Sequence, residues 1–160
     1  MVSRIINNAI LIINMDELML KEFKTFMKEK LEIEINECNE DVFLSAFKQR
    51  KDYNSKNCSF EVFKLKGDAL LGLLACEKYI DNYSTESNPT AVKEKYVGNK
   101  KLQSIFDKLK LEKYFSYERS NEIGKHNKSD CIEALLYATY CAFDMEKASK
   151  VLDLLFENDS

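Results

Sequence analysis

Phe60-Glu-Val-Phe-Lys-Leu-Lys-Gly-Asp-Ala-Leu-Leu-Gly-Leu-Leu74 is apolar enough to be a buried helix, yet it carries Asp68 in its middle. Ionised carboxylates are rarely buried unless they are paired or hold a metal. Residues three and four apart share one face of a helix, so Lys64 stands one turn from Asp68 with the opposite charge. A second acid-bearing apolar stretch runs from Asp130 through Glu133 to Phe143. Asp130 and Glu133 are neighbours on a helix by the same spacing. Acids crowded together repel unless a cation lies between them, and Mg²⁺ prefers such oxygen ligands. A bound divalent ion acidifies a water and clamps the oxygens of a phosphodiester, which is nuclease chemistry. The competing reading treats Asp130, next to the cap-type Ser129, as a residue placed to satisfy a helix dipole.

Working outward, the rest of the chain reads as helices joined by short polar turns. Four glycines and one proline in 160 residues, with 45% apolar and 32% charged residues, predict an all-α domain. The length predicts one domain over 1–160, with 1–14 as an N-terminal extension (strand or short helix) and 15–157 as the helical core. Met15–Leu31 has apolar residues at helical spacing, and Leu31–Asn36 alternates as a short strand or extended turn. Asn39 is placed to cap a helix through Val42, Phe43, Ala46 and Phe47. Ser59 is placed to cap the long helix, which is expected to end near Ile80. Gly67 and Gly72 inside it predict a close backbone neighbour, another helix or a second subunit. Pro89 starts a helix through Val97, and Asn99 caps the next, through Leu109. Leu111–Phe115 is a short apolar turn, and Ser116–Lys128 a polar loop. Ser129 and Asp144 are placed to cap the last two helices.

The Ile5–Ile13 run is too short to span a bilayer and lacks a signal-peptide cleavage pattern, so no membrane association is expected. Five cysteines without metal-knuckle spacing read as reduced thiols, with Cys76, Cys131 and Cys141 in the core. The expected location is intracellular, cytoplasm or nucleus. The net charge of −3 conceals segregation: residues 48–66 hold six Lys/Arg against two acids, and residues 129–160 hold two against seven. A basic surface beside an acidic centre suits a polyanion held over metal. The phenylalanines and tyrosines fall at core spacing and read as packing, not as platforms for bases.

Gly67-Asp-Ala-Leu-Leu-Gly72 preceded by Glu61, with Asp130-Cys-Ile-Glu-Ala-Leu135 downstream, resembles the ribonuclease III catalytic domain. The family signature reads roughly Asn-Glu-x-Leu-Glu-Phe-Leu-Gly-Asp-Ala-Val-Leu, with a later Asp-x-x-Glu-Ala. Val97-Gly-Asn-Lys-Lys-Leu102 is similar to the family's Val-Ser-Asn-x-x-Leu. Leu111-Glu-Lys-Tyr-Phe115 is similar to its Gly-Leu-x-x-Tyr stretch. Ala46–Asn54 resembles its Ala-Leu-Thr-His-x-Ser-Tyr segment without the His and Ser. These matches span about residues 15–157 in the family's order.

The resemblance implies a helical endonuclease bundle that dimerises and cuts double-stranded RNA, each centre cleaving one strand to leave short 3′ overhangs. It implies Asp68, Asp130 and Glu133 as ligands of catalytic Mg²⁺ (or Mn²⁺), with Glu61 lining the cleavage valley. Glu86 falls on the other valley glutamate, although Ser87 replaces the glycine after it. His126 stands four residues before Asp130, where many members carry a lysine, and Lys125 and Lys128 flank it as candidate RNA contacts. Lys64 is the departure, because the family has a metal-ligand glutamate there. Two outcomes are open for Lys64: an i,i+4 bridge to Asp68, competing with the ion, or a swing outward that leaves a three-carboxylate site. Three functions are therefore weighed: a weakened endoribonuclease, a non-catalytic subunit binding duplex RNA or protein, and a bundle used for protein contact alone. No double-stranded-RNA-binding domain follows residue 157 in this sequence. The expectation is a minimal member, a piece of a longer chain, or one that borrows RNA affinity from a partner. Phosphate contacts from a dimer alone would be strongly salt-dependent.

Overall fold

The computed structural model describes residues 2–49, 59–79, 88–117 and 125–157, and they are almost wholly helical. The chain divides into two compact units, Met1–Asn36 and Glu37–Ser160. The first is one helix, α1 (Val2–Leu31), and a short tail. The sequence drew a boundary at residue 14, but the helix passes through it, since no Gly or Pro occurs before Gly67 to stop it. Lys28 and Lys30 lie in the last turn of α1, where cations suit the carbonyl end of a helix. Glu32 then turns left-handed (φ 53°), and the Ile33 N–H closes back on the Met27 carbonyl at 2.9 Å. The alternation of residues 32–35 is realised without a strand among the described residues, with Ile33 and Ile35 buried and Glu32 and Glu34 exposed.

The second unit contains α2 (Glu40–Phe47), α3 (Ser59–Tyr79), α4 (Pro89–Val97), α5 (Asn99–Lys108), α6 (Lys125–Ala142) and α7 (Met145–Glu157). Two-residue strands β1 (Lys48–Gln49) and β2 (Ser116–Tyr117) pair in parallel, Lys48 opposite Ser116 and Gln49 opposite Tyr117. The centre of this unit is α6, which packs against α2, α3, α5 and α7. Residues 131–136 of α6 are all buried, which explains a helix apolar on every side. Phe43, Phe47, Phe60, Phe106 and Phe115 are buried, and Phe60 meets Phe115 edge to face at 5.6 Å between ring centres. No helix among the described residues is long and apolar enough to cross a membrane.

Caps fix several boundaries. The Asn39 carbonyl accepts from the Val42 and Phe43 N–H groups at the start of α2. The Asn88 side chain accepts from the Thr90 N–H at 3.0 Å, and Pro89 opens α4. Asp144 accepts from the Lys147 N–H at 2.8 Å and opens α7. Two expected caps are displaced. The residue before α5 is Gly98, not Asn99, and its carbonyl accepts from Lys101 and Leu102. A Cβ at Gly98 would lie 2.3 Å from the Glu94 carbonyl oxygen, so the α4–α5 corner needs glycine. Ser129 is buried inside α6, which begins four residues earlier, at Lys125.

Candidate active site

The site is built where α3 crosses α6. A Cβ placed on Gly67 would lie 2.0 Å from the backbone oxygen of Glu133, so the two backbones touch there. Of the two close neighbours expected at Gly67, a helix of the same chain is the one present. Gly72 lies at an intermediate level of exposure. The contact fixes which side chains can meet. One turn before Gly67 on α3 is Lys64, and one turn before Glu133 on α6 is Asp130.

Lys64 Nζ lies 3.0 Å from Asp130 Oδ2 and 3.4 Å from Glu61 Oε2. Neither expected outcome for Lys64 occurs. The ammonium does not bridge Asp68 within its own helix and does not swing out. It reaches across the crossing to α6 and back one turn to Glu61. The physical reason is the glycine contact, which lets α6 approach closely enough for Asp130 to meet the ammonium. The Asp130 side chain is 15% exposed and that of Lys64 35%, so the pair is partly withdrawn from water. Burial alone pulls the Lys64 pKa down. Its bonds and charge attraction to Asp130, and then to Glu61, outweigh this and raise it above the ordinary 10.5.

Glu133 is buried, as a carboxylate at the helix crossing must be, and it has a partner of its own. Asp68 corrects the expectation of a buried acid: it is exposed, and no ion pair reaches it among the described residues. The error lies in the apolarity of α3, which has two apolar faces of which one packs. Phe60, Leu70, Leu71, Leu74 and Ala75 are buried, whereas Val62, Leu65 and Leu73 are exposed. Asp130 is likewise no cap, since it is the sixth residue of α6 and lies beyond the first turn.

The remaining candidates are dispersed. Lys128 lies on α6 with its Nζ 2.7 Å from Asp107 Oδ1, a tie between α5 and α6. Lys125 and His126 begin α6, and their side chains lie outside the described residues, as does the whole of Glu86. The cysteines depart from expectation as well. Cys131 is buried, and burial followed by the Asp130 charge pushes its thiol well up, but Cys76 and Cys141 are exposed. Sequence spacing had no means of showing the Lys64–Asp130 pair, since it joins residues on different helices.

The donor set fits a hard divalent ion in its chemistry, because Asp68, Asp130 and Glu133 offer only carboxylate oxygens. Its arrangement is another matter. Among the described residues, no three acidic, histidine or cysteine side chains gather closely enough to hold a metal as they stand. A cation is already beside Asp130, and it is Lys64.

No curated protein and no solved structure matches the chain. The family model of the ribonuclease III domain matches residues 61–144, just over half of the chain. That span opens at Glu61, contains both sides of the α3–α6 crossing and ends after α6. The all-α fold and the matched span together place this chain in the ribonuclease III family.

Proposed function

We propose that the chain is an endoribonuclease acting on double-stranded RNA as a dimer, with activity weakened by Lys64. One observation supports this reading: Gly67, the residue before Asp68, packs against the Glu133 backbone, so α3 and α6 cross next to two of the three proposed ligands, inside the family span. Asp68, Asp130 and Glu133 would hold a divalent ion. Ion chemistry there supplies an acidified water and charge compensation at a phosphodiester. The chain's own residues do the positioning. Glu133, buried at the crossing, is the fixed member, and Asp68, exposed, is the member open to incoming RNA. Lys125 and His126, at the amino end of α6, are proposed phosphate contacts, where helix N–H groups favour anions. The exposed Val62, Leu65 and Leu73 of α3 support a second subunit, because an apolar helix face of this kind serves association.

The test is direct. Purified protein should shorten long duplex RNA in the presence of Mg²⁺, and Asp68→Asn or Glu133→Gln should abolish it. Duplex left intact by a protein shown to be dimeric overturns the reading.

The Lys64–Asp130 contact favours a second reading, a non-catalytic subunit that binds duplex RNA or protein. Under it, Lys64→Glu leaves the protein without cleavage while duplex binding persists. A strong rise in cleavage on that substitution removes the second reading.

A further inference from the structure

A cation already bonded to Asp130 repels a second one arriving at the same carboxylate. Its carboxylate is 15% exposed, and the Lys64 ammonium approaches it to 3.0 Å from the neighbouring helix. The same ammonium is held from its own helix by Glu61, at 3.4 Å. Two acids on two helices thus fix one lysine head over the crossing, while Asp68 stands apart from it and exposed. The acids of the site are divided by this arrangement. Asp130 and Glu61 share one ammonium, and Asp68 has no ion pair among the described residues.

A divalent ion entering here meets a repulsive charge at its first ligand. It must displace Lys64, bind without Asp130, or take the remaining Asp130 oxygen against that repulsion. Mg²⁺ gives up water reluctantly, and a carboxylate whose oxygen is already in a charge-assisted hydrogen bond returns little for that loss.

We infer that Lys64 is the resident cation of this site: its ammonium holds Asp130 and Glu61 and keeps divalent ions off Asp130 in the RNA-free protein. This rests on reading Asp68, Asp130 and Glu133 as the ligand set. Lys64 is then a positioning residue that sets the metal affinity of the acids around it.

The test is Mn²⁺ binding to the RNA-free protein, followed by titration calorimetry and by the paramagnetic resonance signal of free Mn²⁺. Four proteins are compared: wild type, Lys64→Arg, Lys64→Gln and Lys64→Glu, each first checked for helical content. Wild type and Lys64→Arg should take up Mn²⁺ weakly. Lys64→Gln removes the competing charge and Lys64→Glu adds an acid, so affinity should rise at both, by about tenfold or more at Lys64→Glu. Adding Asp130→Asn to Lys64→Glu should remove the gain, which a merely structural role for Lys64 would not do. Wild-type binding as tight as that of Lys64→Glu overturns the inference. So does an absence of binding in all four, because Lys64 would then not be what excludes the ion. No RNA enters the measurement, so a protein that fails to cleave duplex leaves this result standing, and the two readings fail separately.

Discussion

Two of the three lysines of helix α3, fourteen residues apart, each reach an aspartate on another helix. Lys78 Nζ lies 2.5 Å from Asp153 Oδ2 and 2.6 Å from Oδ1 on α7, and it also donates to the Ser149 carbonyl at 3.1 Å. Lys64 Nζ lies 3.0 Å from Asp130 on α6. The contacts look alike and their settings differ. Lys78 sits in the last turn of α3, where the helix dipole favours a cation, and the Asp153 side chain is half exposed. Nearby, Tyr79 stacks on Tyr96 at 4.3 Å, and burial, then Asp153, then Tyr96 push its phenol up. That end of α3 is an ordinary tie between helices. Lys64 has no dipole to favour it, and its partner is largely buried within the family span. A residue's partner therefore says less about its role than the cost that partner would incur alone.

The most severe way to break this comparison is Gly67→Ala, which pushes a methyl against the Glu133 carbonyl and parts α3 from α6, the helix that carries the Lys64 partner. The expected loss is about 3 kcal/mol, read by urea unfolding. A loss below about 1 kcal/mol would mean that the crossing yields and does not set the site. Next, Lys64→Met leaves Asp130 partly buried without its cation and should cost about 1–2 kcal/mol, less than a fully buried pair would. Lys78→Met should cost about 0.5–1 kcal/mol, since water can solvate Asp153. A larger cost at Lys78 would reverse the contrast. The smallest effect is a pH dependence. The folded pKa of Lys64 lies above its unfolded value of 10.5, so the stability it contributes is complete below that value and fades as pH rises through the folded one. The difference in unfolding free energy between wild type and Lys64→Met should hold steady from pH 7 to 9 and narrow toward pH 11.

Much of the fold was legible because single residues announced it. Pro89 behind Asn88 opens α4, Asp144 opens α7, and Gly67 predicted a close neighbour that proved to be Glu133. The start of α6 was not legible, because Ser129 has cap chemistry and is nonetheless buried within the helix with its hydrogen-bonding needs met elsewhere. Asp68 is exposed against expectation, because apolar neighbours in sequence do not show which face of a helix finds a partner. The acids of the site were legible from motif order. The choice of Asp130 over Asp68 by Lys64 was not, since it depends on how α3 and α6 cross.

The bare backbone contact at Gly67 has a mechanical consequence. With no side chain between them, α3 and α6 are bolted at one point and cannot slide past each other without breaking the bolt. The spacing of the acidic centre is thus set in main chain, while its charge is set by the ammonium of Lys64. Geometry and charge are separately addressed here: the charge can be rewritten at position 64, whereas a side chain at position 67 strains the crossing itself.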